Sequence, residues 1–386
     1  MNIDHIQFYV EDAPCVRDWF IQHMGFRSLG SASNNHTQFE VISSGTIVFV
    51  LASPLQQSSP VHQFLQHHPP GVVDVAFRVS DLDRVMIQAT HALQNYQSSG
   101  QSPNGVHPIY QVHQQNGHVR WAKIGAWGTL RHTLIERTGL ATGLASILFE
   151  DDLVFAEKPS RSQSNLSSIE VDRVCFNEID HIVLNVAIGD LNAAVTWYQQ
   201  VLGFEPQQTF EIQTNYSGLY SRVMQHPETG VRLPINEPSS INSQIQEFLD
   251  LNHGAGVQHI ALHTENLVDG IATLRQTDLS FLHVPQRYYD QLVQREGFLL
   301  SDQELAAIAE QQILVDWQAD NPEAILLQTF TQPIFQQPTF FFELIERKQY
   351  RVNQQVQHAQ GFGEGNFQAL FEAIEREQLK RGSLKR

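Results

Sequence analysis

The segment DHIQFYV at residues 4–10 recurs as DHIVLNV at residues 180–186, and each copy runs on into an aromatic pair and then Gly-Phe. The pairs are Trp19–Phe20 and Trp197–Tyr198, the turns Gly25–Phe26 and Gly203–Phe204, with the same Trp-to-Gly spacing in both. Alternating apolar residues after each Asp-His read as a strand, whereas VRDWFIQHM and LNAAVTWYQQVL carry helical spacing. Each copy therefore opens strand, helix, Gly-Phe turn. Two further anchors follow in the same order: GVVDVAFRV (71–79) aligns with GVQHIALHT (256–264), and TLIER (133–137) with ELIER (343–347). Three anchors in one order predict an internal duplication.

Between the copies, AEKPSRSQSNLSS (156–168) has Ser, Asn, Pro and charge without apolar periodicity and reads as a linker. The expected division is a first module over 1–155, a linker over 156–170 and a second module over 171–386. The last two anchors lie 84 residues apart in the second copy (259 to 343) and 59 in the first (74 to 133), so the second holds about 25 extra residues. That insertion includes VPQRYYDQLVQ and SDQELAAIAEQQ, the latter with a Ser N-cap and helical spacing.

Composition narrows the class. The chain has 386 residues, is 41% hydrophobic and carries a formal charge of −17, which supports packed cores and repels nucleic acid and anionic lipid surfaces. No apolar run approaches the ~20 residues of a spanning helix. The opening MNIDHIQFYV lacks a basic segment followed by an apolar one, so no secretory signal is expected. Two cysteines, Cys15 and Cys175, form no disulfide framework or thiolate cluster. A cytoplasmic protein, without nucleic-acid or membrane partners, is expected.

The aligned anchors carry chemistry in one copy only. Where the second has His181, His259 and Glu343, the first has His5, Asp74 and Thr133. Two imidazoles and a carboxylate are the donor set of non-haem Fe(II) sites, with positions left open for substrate and O₂; zinc or manganese remains open on ligand type. Thr133 is a poor carboxylate replacement, so the first module is expected to have lost its metal. Glu343 lies in the apolar run FFFELIER, where an unpaired carboxylate is costly. A metal is one compensation and a pair with Arg347 the other, although Arg137 of the first copy persists without the acid.

Longer motifs carry a resemblance. SGLYSRV (217–223), LPINEPS (233–239), SQIQEFL (243–249), GAGVQHIAL (254–262), LLQTFTQP (326–333), FFFELIER (340–347) and GFGEGNFQALFEAIE (361–375) together resemble the 4-hydroxyphenylpyruvate dioxygenase family of the vicinal-oxygen-chelate superfamily. The resemblance implies an α+β fold of two tandem half-open barrels of about eight strands with flanking helices, only the second catalytic. It implies one Fe(II) per chain on His181, His259 and Glu343, a polar lining of Ser221, Asn236, Gln244, Gln258 and Gln328, and substrate contacts from Phe330, Phe341, Asn366, Phe367 and Phe371. The implied reaction takes 4-hydroxyphenylpyruvate and O₂ to homogentisate and CO₂ by oxidative decarboxylation, ring hydroxylation and side-chain migration. A homo-oligomer, dimer or tetramer, is expected with it. Hydroxymandelate synthesis from the same substrate and a non-catalytic binding module are the alternatives.

Three details set up tests. Tyr220 stands in SGLYS where a small polar residue such as Asn is expected, which bears on pocket entry or its hydrogen bonding. Gln258 precedes His259 on a strand, so their side chains should face opposite sides unless a bulge intervenes. Phe367, Leu370, Phe371 and Ile374 share one face of a C-terminal helix expected over 364–381, and Gly361, Gly363 and Gly365 before it offer a hinge or a close backbone approach. The resemblance makes this helix a lid.

Overall fold

The computed structural model describes residues 1–97, 107–114, 117–139, 147–148, 153–156, 176–214, 217–318 and 320–383. The expected linker from 157 onward lies outside them. The first module runs β1 (Asn2–Tyr9), α1 (Ala13–Met24), β2 (Arg27–Ser33), β3 (Thr37–Ser44), β4 (Ile47–Pro54), α2 (Pro60–Leu65), β5 (Gly71–Arg78), α3 (Leu82–Gln97), β6 (Tyr110–Gln114), β7 (Gly117–Gly125), β8 (Arg131–Gly139) and β9 (Val154–Ala156). The second runs β10 (Glu178–Asn185), α4 (Leu191–Leu202), β11 (Glu205–Gln213), β12 (Gly218–Gln225), β13 (Arg232–Pro238), α5 (Gln244–Asn252), β14 (Gly256–His263), α6 (Leu267–Arg275), α7 (Gln286–Leu292), α8 (Asp302–Glu310), β15 (Leu314–Gln318), β16 (Asn321–Phe330), β17 (Phe341–Arg347), β18 (Gln349–Val352), β19 (Gln355–His358) and α9 (Glu364–Arg381).

The strands form a nine-stranded sheet ordered β6-β7-β8-β5-β1-β4-β3-β2-β9 and an eight-stranded sheet ordered β11-β12-β13-β10-β14-β17-β16-β15. The expected two-barrel α+β architecture is found. All three sequence anchors occupy matching places: β1 with β10, β5 with β14, β8 with β17. Gly25 and Gly203, both with φ near +72°, end α1 and α4 in the left-handed conformation that glycine adopts without a Cβ penalty. The insertion supplies α7 and α8, and Ser301 caps α8 in a reciprocal box with Glu304. The β18–β19 hairpin was not read from sequence; its strands are almost wholly exposed and lack the apolar alternation that marks a half-buried strand.

One apolar cluster runs through both modules. Phe20 of α1 lies 5.8 Å from Phe342 of β17, and Phe49 of β4 stacks on Phe342 at 5.9 Å. Reciprocally, Tyr198 of α4 reaches His132 of β8, its hydroxyl 3.0 Å from the imidazole Nε2. Phe20 and Tyr198 are equivalent positions in the two copies, as are Phe342 and His132, so the duplication packs on itself with pseudo-twofold logic. No helix among the described residues is long and apolar enough to cross a membrane.

Candidate active site

β14 and β17 are buried along their whole length, so polar residues on them have no water to turn to. His259 comes from β14, Glu343 from β17 paired parallel beside it, and His181 from β10 on the other side. Among the described residues these three alone form a group with metal-ligand geometry, their donor atoms within 4.8 Å of one another. His181 Nε2 lies 3.2 Å and His259 Nε2 3.6 Å from the same oxygen, Glu343 Oε2. The other carboxylate oxygen, Oε1, accepts from Gln328 Nε2 at 2.9 Å. Burial opposes charge on Glu343, yet the two histidines hold its carboxyl down to about 2. Burial likewise opposes charge on His181, but Glu343 and Asp180 lift its imidazole to about 9. An ionised carboxylate oxygen facing two imidazole nitrogens in an apolar surround fits one divalent cation.

Backbone irregularities aim these groups. Ile179 pairs with Leu262 and His181 with Ala261, leaving Asp180 as an extra residue on β10; Val183 pairs with His259 and Leu184 with Val257, leaving Gln258 extra on β14. Each is a β-bulge, which suspends the strict side-to-side alternation. Gln258 and His259 therefore both line the same cavity despite being neighbours. At the other bulge Asp180 Oδ1 sits 2.8 Å from His181 Nδ1, fixing which ring nitrogen is left for the metal side. Burial works against the charge on Asp180, but Arg347 and His181 hold its carboxyl well below the usual range. Arg347 donates to both Asp180 oxygens, at 2.6 and 2.8 Å. It is thus the partner of Asp180 and not of Glu343, which answers the alternative left open by the sequence.

The cavity beside the three donors measures about 70 Å³, far below the ~300 Å³ lower end of ligand pockets. Its polar lining comprises Ser221, Asn236, Gln244, Gln258, Gln328 and Asn366, and its aromatic lining includes Phe330, Phe341, Phe367 and Phe371. Phe341 stacks on the His259 ring at 4.8 Å. Leu370 and Ile374 complete the apolar face that α9 turns inward. Gln244, one of the lining residues, has its Oε1 buried without a hydrogen-bond partner.

A model of the Glyoxalase/Bleomycin resistance protein/Dioxygenase superfamily matches residues 178–298, which hold His181 and His259. The 4-hydroxyphenylpyruvate dioxygenase of Dictyostelium discoideum is 34% identical, the alignment covering 99% of this chain and 100% of that protein. Those of Caenorhabditis briggsae and Coccidioides posadasii are 34% and 32% identical over 99% of this chain and 93% and 94% of theirs. The chain belongs to the 4-hydroxyphenylpyruvate dioxygenase family. Its fold is also that of a triply substituted 4-hydroxymandelate synthase from Streptomyces coelicolor, with a TM-score of 0.77 at 22% identity and 98% coverage of both chains.

Against this 4-hydroxyphenylpyruvate dioxygenase framework, the structure brings every ligand, lining and contact residue expected from sequence to one cavity, with one correction at Tyr220. Tyr220 is 40% exposed on the outer face of β12, between Leu219 and Ser221 that point inward, so it touches neither the cavity nor its polar lining. Among the described residues Gln328 bonds to Glu343, to Asn366 and to the Phe362 carbonyl, with no hydrogen bond to Gln244 or Gln258. Gly363, the N-cap of α9, and Gly365 in its first turn serve a close approach. A Cβ on Gly363 would sit 1.8 Å from Gln328 Oε1, and one on Gly365 2.4 Å from Asp316 Oδ1. Sequence reading passed over Phe210 and Phe362, which also line the cavity, and Asp180. The Asp-His pair that opens each repeat was the available signal for Asp180.

In the first module the equivalent place is filled by protein. Asp74 accepts from Thr133 Oγ1 at 2.6 Å, Thr133 N at 2.9 Å and Arg131 Nε at 3.1 Å. Arg131, at the position of Phe341, also reaches Gln7 and Tyr9. A guanidinium there balances the carboxylate as a cation would. Asp4 meanwhile repeats the role of Asp180, contacting His5 Nδ1 at 2.9 Å and accepting from Arg137 at 2.7 and 3.0 Å.

Proposed function

We propose that the chain converts 4-hydroxyphenylpyruvate and O₂ to homogentisate and CO₂, using one ferrous ion held by His181, His259 and Glu343. The observation that carries this reading is the convergence of two imidazoles and one half-capped carboxylate on a largely apolar cavity, in a chain that matches dioxygenases of this substrate along nearly its whole length. When bound, the ion supplies the one-electron chemistry that lets O₂ react with a closed-shell acid. The protein supplies the rest. Phe341, Phe330, Phe367 and Phe371 wall off water and pack the ring, and uncharged amides orient it without adding charge beside an anionic substrate. The unpartnered Gln244 Oε1 provides an acceptor for a phenol O–H.

The modules are assigned to 1–155 and 171–386 with 156–170 between them, the first without metal because Arg131 and Thr133 already satisfy Asp74. A homo-oligomer in the reducing cytoplasm completes the reading, supported by the scarcity of cysteine and the acidic charge. The test is anaerobic Fe(II) loading, addition of 4-hydroxyphenylpyruvate, admission of O₂ and product identification by mass spectrometry. Homogentisate is expected; hydroxymandelate would assign the sister reaction, and an unconsumed acid would overturn the enzyme.

A further inference from the structure

Gln328 Nε2 faces two groups that can only accept, the Glu343 carboxylate and the Phe362 carbonyl, each at 2.9 Å. Its amide orientation is therefore forced, and Oε1 must accept. Asn366 Nδ2 donates to that oxygen at 2.9 Å, which turns Asn366 Oδ1 toward the Tyr288 hydroxyl, also at 2.9 Å. The hydroxyl has one proton, with Asn366 Oδ1 at 2.9 Å and the Val315 carbonyl at 3.0 Å as its acceptors. Its oxygen accepts from the Val315 N–H at 2.8 Å. Hydrogen bonds thus run in one direction from β15 through α7 and α9 to the metal-site carboxylate. Tyr288 lies on α7, within the insertion that the first module lacks.

We propose that Tyr288 is a positioning residue for the metal site: its hydroxyl sets the chain Tyr288–Asn366–Gln328 that caps Glu343 Oε1, leaves Oε2 to the metal, and ties α9 over the cavity. Loss of the hydroxyl leaves Asn366 Oδ1 without its donor and loosens the carboxamide that holds Gln328 Oε1, so Gln328, its orientation still set by its two acceptors, is held less firmly against Glu343. A displaced Gln328 would uncap Oε1 and let the carboxylate turn out of register with the two imidazoles. The insertion thereby completes a site whose three donors all lie outside it.

The experiment is anaerobic titration with Co(II) and with Fe(II) of the full chain and of Tyr288→Phe, which keeps the ring against Tyr289 and removes one hydroxyl. The expected result is metal affinity about 10-fold weaker, the lower range of losses for groups that orient a ligand. Asn366→Ala should weaken it similarly, and the double variant should be no worse than the poorer single one, because both break the same chain. Unchanged metal affinity in folded Tyr288→Phe, or effects that multiply in the double variant, would overturn the proposal. If Tyr288→Phe fails to fold, wild-type affinity in Asn366→Ala overturns it equally. The oxygen-to-product ratio, which rests on the proposed function, should rise in the variants. The metal titration needs no substrate, so it stands even if that function fails.

Discussion

Asp180 carries one charge shared between Arg347 and the outer nitrogen of His181, with all three side chains buried. Asp180→Asn keeps the shape and removes the charge, and metal affinity should fall about 10- to 100-fold, as when such partners are removed at other sites. Leaving Arg347 without a counter-charge should cost on the order of 3–5 kcal/mol of stability, reduced by the Ala359 and Gly361 carbonyls it already meets. Asp4→Asn is the internal control, because Asp4 makes the same contacts where no metal-ligand group exists among the described residues. It should lower the melting temperature and leave metal content untouched; metal lost from folded Asp4→Asn would place a second ion in the first module. The ligand set was legible because a carboxylate in FFFELIER breaks an apolar run that otherwise needs no explanation. The Asp180–Arg347 pair was not, since its members lie 167 residues apart and Arg347 reads in sequence as a partner for the nearby Glu343.

Among the elements, β14 shows what periodicity can and cannot tell. Eight consecutive buried residues announce a central strand, but a bulge leaves no mark in the pattern, since every side chain is buried either way. The position of Gln258 depends on pairing with β10, which only the folded sheet displays. Because the bulge puts Gln258 beside the ligand without a contact to the metal donors, Gln258→Ala should retain metal and lower turnover about 10- to 100-fold. A wild-type rate would make it a bystander. Helix α9 was fully legible, from its glycine lead to its apolar face, yet its purpose follows from the cavity it closes. Phe367, Leu370, Phe371 and Ile374 of the helix form one wall of that space. Ending the chain after Gln360 should leave both sheets folded, because their strands all precede that point, with metal held more weakly once Asn366 is gone. Oxygen uptake should then exceed product formed. An insoluble truncation would instead make Phe371, worth about 3–5 kcal/mol against Ala, a core residue first.

For the whole molecule, the reciprocal packing of α1 on β17 and α4 on β8 makes the two modules one cooperative body, and only one of the two equivalent contacts is polar. Phe20 meets Phe342 in one, Tyr198 meets His132 in the other. His132 is neutral there: Nδ1–H donates to the Val75 carbonyl at 2.9 Å, and Nε2 accepts from the Tyr198 hydroxyl at 3.0 Å. Burial lowers its pKa to about 4 from 6.5, despite Val75 and Asp74, which favour the charged form. The folded state therefore binds this proton less readily than the unfolded chain. The contribution is complete above pH 6.5, falls by about 1.4 kcal/mol per pH unit as the unfolded imidazole protonates, and is lost by pH 4. His132→Gln retains a donor and an acceptor without a titrating group. Between pH 7.5 and 5 wild type should lose about 2 kcal/mol more stability than this variant, measured by denaturant titration of each at both values. Parallel losses would mean that His132 is already charged in the fold, and that the module interface holds an imidazolium where the geometry requires an acceptor.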